Sequence, residues 1–548
     1  MGQIVSSMQG KVAELFGNRL KRQREDEELD TIADQPRNKM KRLTTAQYVY
    51  QTLFLEQKGS DVTIMALERV WHLHKIYLSQ SPYFKAMFNG PWLEAQQDLI
   101  KIEIPDERVT VECLDAVLAS LYCHEIEILP EDVISYLATG TLLHLDDIID
   151  KCATLMVENL SVTTVIEYYE AASQYGLMPT RMSTIQWLEI NLLITYNVMT
   201  SGQAISDFLK PIPIELMCEL TGSPDLYVIE AEFTLYRLLR DWMFLRLQPD
   251  DNADHQLPLP QSNEDLQRAS SAYFRNRDEM VSFLATPMGQ PYVGVFQKLR
   301  TQYLTNSYRN LKAIYDDNII PREWVDRHIS NHWHSLLRID EGSSKDRAQH
   351  LDEEQFLDNC MRYGVILLEL CAQRWRWVDF NYGMDLVMAI DSSLLKVRRQ
   401  RWPETKHMLG LRNTNHFMVR ATVTSLDAQG RVVFTQSSQI WSLSCDENEE
   451  VPLLELDPRL VYPLIICVNM LTAVPPDHSF KDFVPLYEKE ETTSLYSRSL
   501  SIESNGGDNE RPLTPSSCSA EESSVFIGEL EPDPLPPSYD SETEDNDS

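Results

Sequence analysis

The 548-residue chain lacks the features that mark several large classes of protein. None of its nine cysteines stands in a C-x-x-C pair, and no apolar run reaches the roughly 18 residues that a transmembrane helix needs. The sequence opens without a recognisable secretory signal. We therefore expect an intracellular protein whose cysteines are reduced core thiols, with neither a disulfide framework nor a membrane span.

Basic residues are also scarce. The chain holds 49 Lys and Arg against 83 Asp and Glu, a formal net charge of −34, and residues 481–548 contribute 17 acidic and four basic side chains. Because an acidic surface repels phosphate backbones, we expect no direct binding to nucleic acid. Gly-rich phosphate loops, nucleophile elbows and metal-ligand sets are missing too, so we expect no catalytic residues, cofactor or metal.

Apolar residues make up 43% of the chain, which is enough for packed cores, and the length suggests three or four domains. Residues 46–128 interleave short strand and helix patterns. The expected strands are 61–64, 69–74 and 100–104, and the expected helices are 76–78, 82–88 and 111–122. This mixture predicts an α+β module.

Three motifs of this module resemble the BTB family in their order and spacing: Ser60-Asp61-Val62, residues 74–78 (HKIYL) and residues 81–88 (SPYFKAMF). The resemblance identifies residues 46–128 as a BTB/POZ domain, an interaction module that usually homodimerises. It implies that Asp61 and Lys75 form a charged pocket beneath the dimer seam. The alternative is that both residues only maintain the fold.

Residues 89–94 (NGPWLE) resemble the hydrophobic-x-Glu motif of BTB proteins that bind the cullin dedicated to this family. The resemblance implies that Trp92 is the apolar anchor and that Glu94 is the acceptor carboxylate. A large aromatic side chain in a partner's pocket is a common hot spot, and a neighbouring carboxylate can pair with a cation. The alternative is that Trp92 packs on its own domain.

Residues 129–250 show helical periodicity in short segments. The expected helices lie within 130–152 and at 165–172, 182–193, 205–209, 214–220 and 231–245. A turn at 222–225 is expected to end in a helix-capping aspartate, Asp225. Helix pairs with short loops after a BTB domain resemble a BACK domain, and residues 216–242 carry most of that likeness. The family implies a second cullin contact and a stalk that orients a client-binding module.

Residues 265–340 are expected to be a helical connector, with helices at 266–275 and 292–315. His328 and His332 lie four residues apart and would share one helical face, as in some zinc sites. Because no carboxylate stands at the spacing of a zinc hydrolase motif, we favour an exposed polar helix end over a metal site.

Residues 355–480 are expected to form a β-rich, client-binding domain. The strand candidates are 386–390, 417–423, 431–434 and 464–468, and residues 427–430 (DAQG) are expected to close a hairpin. No repeat of about 50 residues occurs, which excludes a kelch propeller. Trp375 and Trp377 are candidates for contacting a client, with aromatic core packing as the alternative.

The aromatic segment at 375–386 (WRWVDFNYGMDL) resembles the germ cell-less family of animals, as do residues 50–55 and 242–245. The resemblance covers roughly residues 1–480. It implies a substrate adaptor of a cullin-RING ubiquitin ligase in germ cell development, which binds the cullin through BTB and BACK domains and an unidentified client through the C-terminal domain. The alternative is a nuclear-envelope scaffold or transcriptional co-regulator that recruits partners without ubiquitylation.

Residues 1–45 are expected to be a disordered basic arm. Residues 1–6 (MGQIVS) fit the myristoylation pattern with Gly2 as acceptor, and a single myristoyl chain needs a second signal such as nearby basic residues. Two basic clusters resemble a bipartite nuclear import signal, with a solvated arm as the alternative. They consist of Lys21, Arg22 and Arg24, and of Lys39, Lys41 and Arg42. We expect a nuclear or nuclear-envelope protein with a cortical membrane pool.

Residues 484–548 are rich in Ser, Glu, Asp and Pro, a composition that predicts a disordered acidic tail. Pro536, Pro537 and Tyr539 fit the PPxY pattern that WW domains bind. Chance matches are frequent in such tails and are the alternative.

Overall fold

The computed structural model describes residues 44–91, 97–123, 126–229, 231–248, 261–277, 281–340, 351–369, 373–376, 386–391, 393–399, 415–445 and 449–472. The predictions made for the basic arm and for the acidic tail lie outside these residues. Among the described residues, no helix combines the length and apolar character that crossing a bilayer requires.

A three-stranded sheet and four helices make up residues 45–123, the predicted BTB domain. In chain order they are α1 (Thr45–Val49, continued by a π-helical turn, Tyr50–Leu55), β1 (Val62–Ala66), β2 (Arg69–Leu73), α2 (Lys75–Leu78), α3 (Pro82–Asn89), β3 (Leu99–Lys101) and α4 (Val111–Cys123). The strand order is β2–β1–β3, antiparallel for the first pair and parallel for the second. As its periodicity predicted, α4 buries Leu114, Val117, Leu118 and Leu121.

The described part of residues 133–340, called here the helical region, contains eleven further α-helices. They are α5 (Val133–Leu143), α6 (Asp146–Glu158), α7 (Val165–Gln174), α8 (Met178–Val198), α9 (Gly202–Leu209), α10 (Ile214–Gly222), α11 (Glu232–Leu247), α12 (Asn263–Arg275), α13 (Val293–Lys298), α14 (Tyr308–Asp317) and α15 (Arg322–Asp340). The pattern within residues 130–152 is two helices, because the left-handed backbone of His144 (φ 53°) separates α5 from α6. The pattern at 292–315 is likewise interrupted, by a 3₁₀ segment at Thr301–Asn306.

The BTB portion and the helical region share one continuous apolar core that runs from Phe54 to Val325. Two hydrogen bonds reinforce this packing. The buried Ser81 hydroxyl donates to the carbonyl oxygen of Leu143 at 2.6 Å, and the Tyr175 hydroxyl donates to the Asp106 carboxylate at 2.5 Å. The two portions therefore pack as one body.

Residues 361–472, called here the β region, form two sheets that follow a short helix, α16 (Glu353–Asn359). The strands are β4 (Met361–Leu367), β5 (Gln373–Arg376), β6 (Leu386–Ile390), β7 (Leu394–Arg399), β8 (Asn415–Leu426), β9 (Val432–Ser437), β10 (Trp441–Cys445), β11 (Glu450–Glu455) and β12 (Leu464–Leu471). One sheet has the order β10–β8–β12–β4, with β9 also paired to β8, and the other has the order β11–β7–β6–β5. Side chains of both sheets build one shared core.

The predicted α+β fold class is confirmed, with helices through the middle of the chain and a β-rich C-terminal part. All four predicted strands of the β region are present, and residues 427–430 close the β8–β9 hairpin with Gly430 in the left-handed region (φ 78°). Five strands were not predicted: β4, β5, β7, β10 and β11.

Candidate functional site

The residues predicted to bind a cullin, Trp92 and Glu94, lie outside the described residues. Helix α3 leads toward them: Ser81 caps its first turn, and its last residue is Asn89. Gly2, both basic clusters, Trp377 and the PPxY motif also lie outside. Trp375 lies on β5, opposite Met388 of β6.

Asp61 and Lys75 lie together, and the contacts described for them serve the fold. The Asp61 carboxylate accepts a hydrogen bond from the backbone N–H of Lys75 at 2.7 Å, which ties the segment before β1 to the first residue of α2. The Lys75 ammonium lies 5.7 Å from the ring centroid of Phe88 at the end of α3. This arrangement accords with the alternative of fold maintenance, while a role beneath a dimer seam stays a prediction.

Five large apolar side chains of the described BTB portion are exposed, and Tyr48, Leu55 and Ile76 are the most exposed at 59%, 58% and 78%. Tyr48 and Leu55 belong to the first helical segment, and Ile76 to α2. Burying exposed apolar side chains against another protein chain is favourable, so these residues are candidates for an interface.

The helical region and the β region meet at a set of contacts called here the junction, centred on Arg362 of β4. The side chain of Arg362 is 1% exposed, and its guanidinium binds both carboxylate oxygens of the fully buried Glu232, at 2.8 and 3.0 Å. Its Nη1 also donates to the carbonyl oxygens of Thr221 and Ser223, at 2.9 and 2.6 Å. One strand residue therefore holds both the end of α10 and the start of α11.

Two further residues of the β region bind the loop that follows α10. Arg420 of β8 pairs with the Asp225 carboxylate at 2.6 Å, and Asn469 of β12 donates to the carbonyl oxygen of Pro224 at 3.1 Å. The prediction that Asp225 caps a helix is wrong, because the next helix, α11, begins only at Glu232. The Asp225 carboxylate instead accepts a hydrogen bond from Arg420, a strand residue 195 positions away.

Close backbone contact completes the junction at Gly364 of β4. Gly364 forms a parallel bridge with Ile229, and the ring of the buried Tyr227 lies directly over it. A Cβ at position 364 would lie 2.3 Å from Cε2 of that ring. Position 364 therefore requires glycine, because a Cβ atom would clash with the Tyr227 ring.

Gly364→Ala is expected to lower the free energy of unfolding by about 1–3 kcal/mol, because the added methyl group must displace Tyr227 or β4. Chemical denaturation followed by fluorescence measures the change. The matched control is Gly294→Ala in α13, where the new Cβ meets only an ordinary 4.0 Å contact with Cys218. Equal stabilities of the two variants would contradict the packing argument.

A second point of attachment joins the β8–β9 hairpin to the helical region. The side-chain amide of Asn191, on α8, donates to the carbonyl oxygen of Gly430 at 2.8 Å, and Arg431 binds the carbonyl oxygen of Glu158 at the end of α6. Since the hairpin contacts and the Arg362 contacts lie on different strands, they restrict rotation of the β region about the junction.

His328 and His332 do not form the exposed polar helix end that was predicted. Helix α15 continues to Asp340, so both lie in its middle and are half-buried, and burial lowers the pKa of each to about 4. A helical face is buried here because α15 packs against the 3₁₀ segment Thr301–Asn306. Within the described ranges, no group of three or more potential ligands is placed to hold a metal ion.

A buried polar network, absent from the sequence-based prediction, ties together four helices of the helical region. Asp317 of α14 accepts hydrogen bonds from Arg240 (3.0 Å), Arg275 (3.0 Å), Ser271 (2.8 Å) and Tyr236 (3.2 Å). Arg240 is 5% exposed and Asp317 is fully buried. The dipeptide Arg-Asp at 240–241, between the apolar residues Leu239 and Trp242, was the sequence signal of this network.

Asp241 forms the other half of the network. Its carboxylate accepts from the hydroxyls of Tyr196 and Ser270, at 2.6 and 2.5 Å, and from Nε of Arg240 at 3.1 Å. Burial raises the pKa of Tyr196, as it does that of Tyr236, so both phenols stay protonated donors. The network fixes α8, α11, α12 and α14 relative to one another.

Comparison with known proteins assigns the N-terminal portion to a domain family. The BTB/POZ domain family matches residues 50–160. The match begins in the π-helical turn, covers the sheet, and extends through α5 and α6. This part of the chain is a BTB domain, and such domains mediate contacts between proteins.

Similarity over nearly the whole length is found with named relatives. The chain is 54% identical to "Protein germ cell-less" of Drosophila melanogaster over 97% of this chain and 95% of the relative. It is 33% identical to human "Germ cell-less protein-like 1" over 82% and 85%. Mouse "Kelch-like protein 26" is 25% identical over 33% of this chain and 28% of its own length. The identities and coverage of the first two show that the protein belongs to the germ cell-less family.

Proposed function

We propose that the protein is a non-enzymatic substrate adaptor of a cullin-RING ubiquitin ligase that acts in germ cell development. In this role the BTB domain and the BACK domain expected at residues 129–250 bind the cullin, and the β region binds a client. The observation that carries the proposal is the junction, because its buried contacts join the helical region directly to the β region.

Ubiquitin transfer requires that a client lysine be held near a distant catalytic subunit. A rigid connection raises the effective concentration of the client at that subunit, whereas a flexible one dilutes it. The shared core connects the BTB domain firmly to the helical region. The buried Arg362–Glu232 pair then connects the helical region to the β region. A scaffold that only gathers partners has no need for such rigidity.

The proposal includes homodimerisation through the BTB domain. The exposed apolar side chains of Tyr48, Leu55 and Ile76 supply a surface whose burial would be favourable. A dimer would present two clients to the ligase and thereby raise avidity without new contacts.

The test is Trp92→Ala combined with Glu94→Ala. We expect loss of the cullin from affinity-purified complexes and unchanged dimerisation, since the substituted side chains would form the hot spot for the cullin alone. The measurement is recovery of the cullin from cells with the proteasome inhibited, together with light scattering of the pure protein.

Trp333→Ala with Glu323→Ala is the matched control, because both side chains are exposed and lie on α15, far along the chain from the proposed motif. It should leave recovery of the cullin unchanged. If the Trp92 and Glu94 variant retained the cullin, the alternative of a nuclear-envelope scaffold or transcriptional co-regulator would replace the ligase proposal.

For localisation, we propose a nuclear or nuclear-envelope protein with a membrane pool anchored by myristate on Gly2. Gly2→Ala should shift most of the membrane-bound fraction to the soluble fraction, since myristoylation requires an N-terminal glycine and the alanine amine is not acylated. Fractionation with Gly10→Ala as the control measures this shift. Equal membrane fractions in the two variants would rule out the lipid anchor.

A further inference from the structure

A groove in the helical region, bordered by α11 and α12, is unusually rich in arginine. Its volume is about 570 Å³, and its lining includes Arg237, Arg240, Arg268 and Arg275 but one acidic residue, Glu264. The whole chain has a net charge of −34, so a local concentration of cations stands out against the rest of the surface.

Two of these arginines, Arg240 and Arg275, form ion pairs with aspartates of the buried network. Arg240 binds Asp241 and Asp317, and Arg275 binds Asp317 with its Nε at 3.0 Å. Their guanidinium groups thus have fixed positions and form a rigid floor. They contribute hydrogen-bonding surface to the groove rather than an excess of charge.

Neither of the other two arginines binds a buried carboxylate among the residues that the structure describes. Arg237 makes one long hydrogen bond, from Nη1 to the Gln267 side chain at 3.4 Å, and its buried Nε has no acceptor among the residues that the structure describes. Arg268 pairs with Glu264 and Asp265 of its own helix, which are 83% and 44% exposed, and its own side chain is 72% exposed. Such exposed pairs are weak and exchange readily for a better partner.

We propose that this groove binds an acidic peptide segment of the client, with a carboxylate or phosphate group on Arg237 and Arg268. Both anions match the planar fork of a guanidinium, and a paired contact of this kind is among the stronger hydrogen bonds in proteins. The proposal rests on the proposed adaptor function and extends it by naming the chemistry of the client. It adds the helical region to the client-binding surface.

The probe is a fluorescently labelled peptide of alternating aspartate and phosphoserine, compared with the same peptide carrying asparagine and serine. Anisotropy titrations with the full-length protein should show binding of the acidic peptide alone, weakening as salt rises. Arg237→Gln and Arg268→Gln should each lower the affinity by about fivefold or more, since each removes a charge-assisted contact. Replacing aspartate by phosphoserine throughout shows which anion is preferred.

Arg309→Gln is the matched control, because Arg309 is an exposed arginine of α14 that does not line the groove. It should bind like the unmodified protein. The proposal is overturned if the acidic peptide binds no better than the neutral one, or if the Arg309 variant loses as much affinity as the Arg237 and Arg268 variants.

Because the titration contains no cullin, it separates the groove from the ligase proposal. Peptide binding that depends on Arg237, together with retention of the cullin by the Trp92 and Glu94 variant, would support the groove and reject the ligase function. Circular dichroism of Arg237→Gln verifies folding, and Arg268→Gln, which changes an exposed side chain, tests the groove if that fold is lost.

Discussion

Arg362→Met is expected to destabilise the protein by about 3–5 kcal/mol, the usual cost of leaving one member of a buried ion pair without its partner. The carboxylate of Glu232 is fully buried and would lose both of its guanidinium contacts. The carbonyl oxygens of Thr221 and Ser223 would lose a donor as well. Thermal and urea unfolding followed by circular dichroism measure the loss.

A second substitution separates the charge from the hydrogen bonds. With Glu232→Leu added to Arg362→Met, no buried charge remains, and part of the stability should return because an apolar pair can replace a buried ion pair at little cost. The two carbonyl oxygens stay without their donor, so we expect about 1–3 kcal/mol of the loss to persist. A double variant as unstable as the single one would contradict this division.

The control for Arg362 is Arg398→Met on β7. Arg398 is 29% exposed and lies 3.8 Å from a Glu450 carboxylate that is 42% exposed. Because water screens such a pair, its removal should cost less than about 1 kcal/mol. Arg362→Met should also leave cullin recovery intact while reducing client ubiquitylation, since it loosens the junction and not the BTB domain.

Local sequence patterns predicted the elements whose buried side chains recur at a regular spacing along the chain. The stripe on α4, the strands β1 and β2 and the β8–β9 hairpin each depend on neighbours within a few residues, and each was predicted. β11 was not predicted, and its Pro452 is a residue that disfavours strands. It is tolerated because β11 is an edge strand of its sheet.

The junction was not predictable because its partners are far apart in sequence. Glu232 and Arg362 are separated by 130 positions, and Asp225 and Arg420 by 195. A role within its own segment can be predicted for such a residue, such as the helix cap predicted for Asp225. Only the packing of the β region on the helical region decides which partner it meets.

The buried network illustrates the same limit inside one region. Arg240 and Asp241 stand between buried apolar residues of α11, where a charged pair indicates that a further partner exists but does not identify it. That partner, Asp317, lies 77 positions beyond Arg240. The same geometry explains part of the groove, since two of the arginines that line it, Arg240 and Arg275, are held by Asp317 of another helix.

Asp317→Asn is expected to destabilise the protein by about 3–5 kcal/mol, because Arg240 would keep its buried charge with one carboxylate fewer. The amide retains the shape of aspartate but provides one acceptor oxygen where four donors now converge. Urea unfolding with tryptophan fluorescence measures the effect.

Asp316→Asn is a closely matched control. Asp316 is the adjacent residue, is 43% exposed and lies 3.9 Å from Arg275, so its loss should cost less than about 1 kcal/mol. Asp317→Asn should also strengthen binding of the acidic peptide, because it removes the negative charge beneath Arg240 and Arg275 and leaves the groove more cationic. Lower stability together with tighter peptide binding would show that the effect comes from loss of this carboxylate and not from general loss of structure. Weaker peptide binding in a folded variant would contradict the electrostatic account of the groove.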